Sequence, residues 1–432
     1  MKTTTIVFAF FLTSMVVQTL QARDWKEDTI KKTKKIGKKL GKSFKKRKDS
    51  VSRLFVSKTI KSDEYVVFYP ALASLGPRRQ FWTVELHGLI YEHTSFSKSM
   101  PFVSKLIGFK KLRPTKKYNS LYKERLGWFF VDNERGKKLQ IVLKGKRYTL
   151  KASGSNGHFK GQFKLPASIV ASWSMDKYRR IGFKAITNVH DDRVFGGEIY
   201  FTAQRGVSVI SDIDDTIKLS EVHDKKKLIK NTFFRPYLAI PGMAQTYRKW
   251  YRQHKVQIHY VTSSPWQLYV PLRKFMENNK FPPGSFHMKF FRIKDRSFFN
   301  VFSKSLNYKV RSISRIIQQY PLRTFILVGD SGEKDLQVYS KIAHKYPGRI
   351  NVIYIRDTGH RHKNNKKNSL NNAPDEVNGT PVIVFDTNVN PASLEFYGPG
   401  NQYPGKPGGY KTGDQGTAQD NKKYNGASSF KQ

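Results

Sequence analysis

GVSVISDIDDTIKLSEV, residues 206–222, is the stretch on which the reading of this chain turns. An apolar run from Val207 to Ile210 leads directly into Asp212, Asp214 and Asp215. Carboxylates this close oppose one another's ionisation unless they share a cation or a proton. The crowding occurs in a chain of formal net charge +47, where acids are scarce. Side chains two apart on an extended segment share a face, so Asp212 and Asp214 are expected to project together.

Downstream the pattern alternates. Apolar strands are expected at 207–213, 256–262, 324–329, 350–355 and 381–385, separated by helices near 242–253, 266–278, 308–319 and 333–345. Strands alternating with helices imply an α/β unit, a Rossmann-like parallel sheet covered on both faces. Upstream, from about 63 to 205, short alternating stretches such as QFWTVELHGLIYE and GHFKGQFKLP are broken by turn residues. They predict a small β-rich domain, a sandwich or barrel, with no catalytic constellation. His87, His93 and His158 read there as ordinary strand or loop residues.

The ends read differently. Residues 1–22, with Lys2, an apolar run from Ile6 to Leu20 and Ala22 at a cleavable position, resemble a secretory signal peptide more than a short membrane anchor. Export to a periplasmic, envelope-associated or secreted location follows from that reading. A basic arm at 23–62 carries twelve Lys or Arg between Lys26 and Lys48. It suits either an interfacial helix on an anionic phospholipid membrane or a solvated, disordered arm. The net charge equally permits nucleic acid, though nothing predicts a specific one. Residues 401–432, rich in Gly, Asn and Lys, read as a disordered tail after a catalytic unit at 206–400. The absence of cysteine excludes disulfides and thiolate metal sites.

Ligands of open parallel sheets collect beyond the carboxyl ends of the strands. There the sequence places Asp212 and Asp214, then Thr262 and Ser263 closing VQIHYVT, then Asp330 and Asp335 in ILVGDSGEKD. Lys309 stands on an intervening helix. Together these residues make a phosphoryl-transfer site. One carboxylate attacks phosphorus to form an aspartyl-phosphate, and a second, kept protonated by its crowded neighbours, acts as general acid and base. Mg²⁺ relieves repulsion among the anions, while a hydroxyl and a lysine hold the phosphoryl oxygens. Each residue taken singly has a duller reading: Thr262 as a helix cap, Asp335 as a first-turn acid, Asp215 as a turn residue. Lys304 and Lys334 compete with Lys309.

DIDDT, Thr262, Lys309 and GDSGEKD resemble the four ordered motifs of the haloacid dehalogenase superfamily. SDIDDTIKLSEV, NTFFRPYLAIPGM, HYVTSSPWQLY, FILVGDSGEKD and IYIRD more closely resemble the actin-patch-protein type of phosphatidate phosphatase. The similarity covers about 207–397. It implies Asp212 as nucleophile and Mg²⁺ ligand, and Asp214 as general acid and base with its backbone carbonyl on the metal. It further implies Thr262, with Ser263, on the phosphoryl group, Lys309 stabilising its charge, and Asp330 as a Mg²⁺ ligand. Asp335 either ligates the metal or orients Lys309. Thr262-Ser263 stands where the family often has Ser-Asn. The implied function is Mg²⁺-dependent hydrolysis of phosphatidate to diacylglycerol at a membrane surface, with the insert 219–240 as a substrate-selecting cap whose TFFRPYLAI faces either acyl chains or the protein interior. The alternatives are a phosphatase of soluble or nucleic-acid phosphomonoesters, and a cationic binding or scaffold protein on a phosphatase fold.

Overall fold

The computed structural model describes residues 60–76, 78–93, 116–187, 191–291, 305–359, 373–386 and 394–398. The signal-like segment, the basic run from Lys26 to Lys48, Lys304 and the tail lie outside the described residues. No helix among the described residues is long and apolar enough to cross a membrane.

The first half contains β1 (Glu64–Phe68), β2 (Ala71–Leu75), β3 (Phe81–Glu92), α1 (Asn119–Gly127), β4 (Asp132–Asn133), β5 (Gln140–Leu143), β6 (Lys146–Thr149), β7 (His158–Pro166), α2 (Ala167–Ala171), β8 (Arg180–Ile186) and β9 (Gly196–Thr202). Its strands form a nine-stranded sheet ordered β1-β3-β2-β9-β8-β5-β6, with β4 and β7 also on β3. The β2–β9 pair is parallel and the rest are antiparallel. The alternation in β3 buries Trp82, Val84 and Leu86 on one face against Phe159 and Leu165 of the neighbouring strand. Among the described residues these strands are hydrogen-bonded into one sheet, with no pairing between its end strands β1 and β6.

The second half contains β10 (Gly206–Ser211), α3 (Lys225–Ile229), α4 (Met243–His254), β11 (Gln257–Pro265), α5 (Tyr269–Asn278), β12 (Ser285–Lys289), α6 (Ser305–Gln319), β13 (Arg323–Asp330), α7 (Asp335–Lys345), β14 (Ile350–Asp357), β15 (Glu376–Val377) and β16 (Thr380–Asp386). The sheet order is β12-β11-β10-β13-β14-β16-β15, parallel except at β15–β16. After Gly206 β10 is buried throughout, which is why it reads as a continuous apolar run and not as an alternation. The chain lays β11 and β12 outward on one side, then returns to place β13 and β14 on the other. The order therefore reverses between β10 and β13, and a crevice opens beyond the carboxyl ends of adjacent strands at such a reversal. β12 was not anticipated, because SFHMK is short and flanked by loops.

The two halves share cores. Tyr69, Leu89 and Tyr91 lie in one buried cluster with Ile213, Phe233 and Trp266, and Leu72 and Tyr200 pack with Ile210 and Ile313. Trp266, directly after β11, packs tilted against Tyr69 at 4.0 Å between ring centroids. The histidines expected to be scattered are not all so. Pairing of β3 with β7 brings His87 Nε2 to 3.1 Å from His158 Nδ1, beside Trp266 and Phe290. His93 lies apart from them against Tyr65 and Tyr91.

Candidate active site

β10 and β13 are hydrogen-bonded in register from Gly206 with Arg323 to Ser211 with Val328, and the Asp212 N–H donates to the Val328 carbonyl at 2.9 Å. This pairing puts Asp212 and Asp330 side by side where the two strands end. One carboxylate oxygen from each of Asp212, Asp330 and Asp335 lies within 4.8 Å of the other two, and all three residues are buried. Asp335 arrives through the first turn of α7, and the Asp330 N–H donates to its Oδ2 at 3.3 Å. Gly329 makes room for it. A Cβ there would stand 2.5 Å from Asp335 Oδ2 and 2.7 Å from its Cβ. Asp330 Oδ1 also accepts from the N–H groups of Gly332 (2.7 Å) and Glu333 (3.0 Å), which fixes the turn into α7. The Thr216 hydroxyl lies 3.5 Å from Asp212 Oδ2 and 3.3 Å from Asp330 Oδ2, bridging the pair.

From α6, Lys309 reaches into this group. Its Nζ stands 2.9 Å from Asp212 Oδ1, 2.7 Å from Glu333 Oε2 and 2.5 Å from Asp335 Oδ1. Burial opposes the ammonium charge, yet Asp212, Asp335 and Glu333 together hold the Lys309 pKa well above the usual lysine value. Burial drives the Asp212 carboxyl well above the usual carboxylate range. Lys309 opposes that rise, and Asp335, Glu333 and Asp330 reinforce it. Asp330 rises similarly through burial and the same acids. Four carboxylates thus gather around one bonded ammonium, and Asp212 Oδ1, though close to Lys309, receives no well-aligned hydrogen bond. A buried excess of hard oxygen donors of this kind fits a small divalent cation. Asp335 makes both contacts left open by the sequence, standing among the three carboxylates and against Lys309.

Asp214 is engaged elsewhere. Its Oδ1 receives the Lys218 ammonium at 2.8 Å and the Ser220 hydroxyl at 2.7 Å. Its Oδ2 accepts from the hydroxyls of Thr262 at 3.0 Å and Ser264 at 2.9 Å. Burial alone would raise this carboxyl, but Lys218 and the hydroxyl donors outweigh it and hold the pKa at about 2. The expectation that crowding keeps Asp214 protonated is therefore corrected. Its carboxylate is not one of the three in the Asp212, Asp330 and Asp335 cluster.

On β11, residues 262 and 264 share a face, and both touch Asp214. Ser263 points the other way, and its buried hydroxyl has no hydrogen-bond partner among the described residues. Ser264, not Ser263, joins Thr262 on the carboxylate. Asp215 adopts φ 57° and accepts from the N–H groups of Ser220, Glu221 and Val222, the turn role weighed for it. The insert after the first motif folds inward. Phe233 and Phe234 are buried, Phe234 stacks on Tyr122 at 4.8 Å, and Leu238 is exposed at 58%. These phenylalanines belong to the core and are unavailable to acyl chains.

Lys218, Ser220, Ser264, Thr216 and Glu333 were missed from sequence. Period-2 spacing from Thr262 offered a signal for Ser264, and an acid three residues after Asp330 offered one for Glu333. Lys218 offered none, because its loop has no repeating geometry.

Comparison with known proteins bears on this half. Residues 207–357 match the family described as phosphatidate phosphatase APP1, catalytic domain. The chain is 35% identical over 159 residues to phosphatidate phosphatase APP1 of Saccharomyces cerevisiae, covering 36% of this chain and 27% of that protein. It is 32% identical over 169 residues to an uncharacterized protein of Schizosaccharomyces pombe, covering 38% and 27%. The chain thus spans about a quarter of the length of these relatives. A Photobacterium 2,6-sialyltransferase structure covers 51% of this chain and 36% of its own at 10% identity, with a TM-score of 0.19, and carries no argument. Over residues 207–357 this chain is similar to the phosphatidate phosphatase APP1 catalytic domain.

Proposed function

We propose that the unit at 206–400 is a Mg²⁺-dependent phosphatase of haloacid dehalogenase type, hydrolysing phosphatidate to diacylglycerol at a membrane surface. The observation that carries this is the meeting of Asp212, Asp330, Asp335 and Lys309 at the strand-order reversal. When bound among the three aspartates, Mg²⁺ supplies charge neutralisation for carboxylates and phosphate alike.

The chain's own residues do the rest. Asp212 forms a bond to phosphorus as the bond to the leaving oxygen breaks. Lys309, already facing Asp212 Oδ1, offsets charge on the phosphoryl oxygens. Asp214 must give up one of its four donors and take a proton before it can protonate the leaving oxygen. In the second step its carboxylate accepts a proton from the water that cleaves the phosphoaspartyl group. Thr262 and Ser264 keep its Oδ2 in place.

The export reading of residues 1–22, and attraction of the basic arm to anionic lipid, belong to the same proposal. The arm would raise encounter with phosphatidate without entering the chemistry. Phosphate release from phosphatidate in mixed micelles, beside a water-soluble phosphomonoester, tests it with wild type, Asp212→Asn and a chain lacking residues 26–48. Mg²⁺-dependent release lost in Asp212→Asn, with micellar phosphatidate preferred and the preference weakened by the deletion, supports the proposal. Equal turnover of both substrates regardless of the arm contradicts the lipid reading and favours soluble phosphomonoesters. Identical wild-type and Asp212→Asn behaviour contradicts the enzyme and leaves a cationic binding protein.

A further inference from the structure

Lys218, given no role so far, is 2% exposed. Buried ammonium groups are retained where a partner compensates them, and here the salt-bridge partner is Asp214 Oδ1 at 2.8 Å. Lys218 also donates to the Ser220 hydroxyl, which itself donates to the same oxygen. The Lys218 Nζ stands 4.9 Å from the centre of the Tyr237 ring, in the insert. Arg125 lies over the same ring, its guanidinium carbon 3.5 Å from the ring centre. Arg125 comes from α1 in the first half of the chain, and its Nη1 donates at 2.7 Å to the carbonyls of Thr232 and of Arg235. A continuous path therefore runs Arg125–Tyr237–Lys218–Asp214, buried except at the half-buried Tyr237.

We infer that Lys218 is a positioning residue for the phosphatase reaction, held by Arg125 through Tyr237, and that fixing this path is one task of the β-rich half. The inference rests on the phosphatase reading. A carboxylate bonded on both oxygens cannot turn about its Cβ–Cγ bond. With Thr262 and Ser264 on Oδ2, Lys218 and Ser220 complete the restraint on Oδ1. Removing Lys218 leaves Oδ1 to the Ser220 hydroxyl alone, a hydroxyl that Lys218 itself holds, and the loosened carboxylate then samples orientations from which proton transfer fails. A lysine that instead bound the substrate phosphate would set KM. A positioning lysine sets kcat, because Asp214 acts after binding.

The test is steady-state Mg²⁺-dependent phosphate release from phosphatidate in mixed micelles and from a water-soluble phosphomonoester. It uses full-length wild type, Asp212→Asn, Lys218→Met, Lys218→Arg and Tyr237→Leu, each with its thermal unfolding midpoint. Lys218→Met is expected to lose about 10²-fold in kcat with KM within about threefold, the scale of a misplaced catalytic group. Lys218→Arg is expected to recover about tenfold of that loss, since it restores a donor to Oδ1. Tyr237→Leu keeps Lys218 and most of the apolar volume, and is expected to lower kcat about fivefold with KM unchanged. That variant decides the matter should Lys218→Met fail to fold. Unchanged kcat in Lys218→Met or Tyr237→Leu, or a rise confined to KM, overturns the inference while an active wild type leaves the phosphatase standing. A wild type indistinguishable from Asp212→Asn overturns both.

Discussion

The ammonium of Lys309 sits 2.5 Å from Asp335 Oδ1 and 2.9 Å from Asp212 Oδ1, joining the strand end of β10 to the first turn of α7 through a side chain from α6. Deleting one partner of a buried ion pair costs about 3–5 kcal/mol, because the other charges are left uncompensated. Lys309→Met should therefore unfold several degrees below wild type in a chelator. Added Mg²⁺ should raise its midpoint more than it raises that of wild type, since the cation takes over part of the missing charge. A midpoint equal to wild type under both conditions would contradict the electrostatic reading of the cluster.

Gly329 is required by steric contact rather than by its backbone angle. An added Cβ meets Asp335, so Gly329→Ala must displace the start of α7 and one of the three clustered carboxylates. The Mg²⁺ concentration for half-maximal phosphate release should rise about tenfold, the lower range for disturbed groups behind metal ligands. Far-ultraviolet circular dichroism should stay unchanged. An unaltered Mg²⁺ requirement would remove Asp335 from the site.

Acid should weaken the protein in two windows. Burial, with Lys160 beside His158 and Arg315 beside His287, lowers both imidazoles from 6.5 to about 4. The unfolded chain then takes these protons first, so the stability due to neutral histidine is whole above about pH 6.5 and lost by about pH 4. Each contributes about 3 kcal/mol across that range. Asp214 is depressed from 3.8 to about 2, so its contribution persists above about pH 4 and disappears as pH falls through 2. Urea unfolding between pH 7 and pH 4 should show a smaller loss in His158→Gln and His287→Gln than in wild type. Parallel losses would assign the first window to other groups.

Phe233 is fully buried against Phe129 and the rest of the shared core. Phe233→Ala should cost about 3–5 kcal/mol of stability, the range for truncating a buried phenylalanine. At temperatures where the variant remains folded, the ratio of micellar to soluble substrate turnover should not change. A selective loss of phosphatidate turnover in a fully stable variant would return the insert to the acyl chains.

The parallel sheet was legible because a fully buried strand such as β10 cannot alternate, and because each subsequent apolar run is followed by helical spacing. Asp212, Asp330 and Asp335 were legible for a related reason, since carboxylates beside an apolar strand have few structural uses. The contacts that decide what Asp214 does were not. Lys218 and Ser220 reach it through a loop shaped by Asp215, whose three N–H partners have no sequence signature. The choice between Ser263 and Ser264 depended on where β11 ends, and it continues to Pro265, beyond the expected 262. The His87–His158 contact depends on the register of β3 with β7, which connects residues 71 apart and is set by the packing of both faces.

Binding of Mg²⁺ by titration calorimetry to the full chain, wild type against Asp330→Asn, addresses the central claim most directly. The account predicts saturable binding in wild type that Asp330→Asn reduces at least tenfold, because on this account Asp330 and Asp212, side by side at adjacent strand ends, would hold the ion. Equal binding in the two proteins, or none in either, would contradict it.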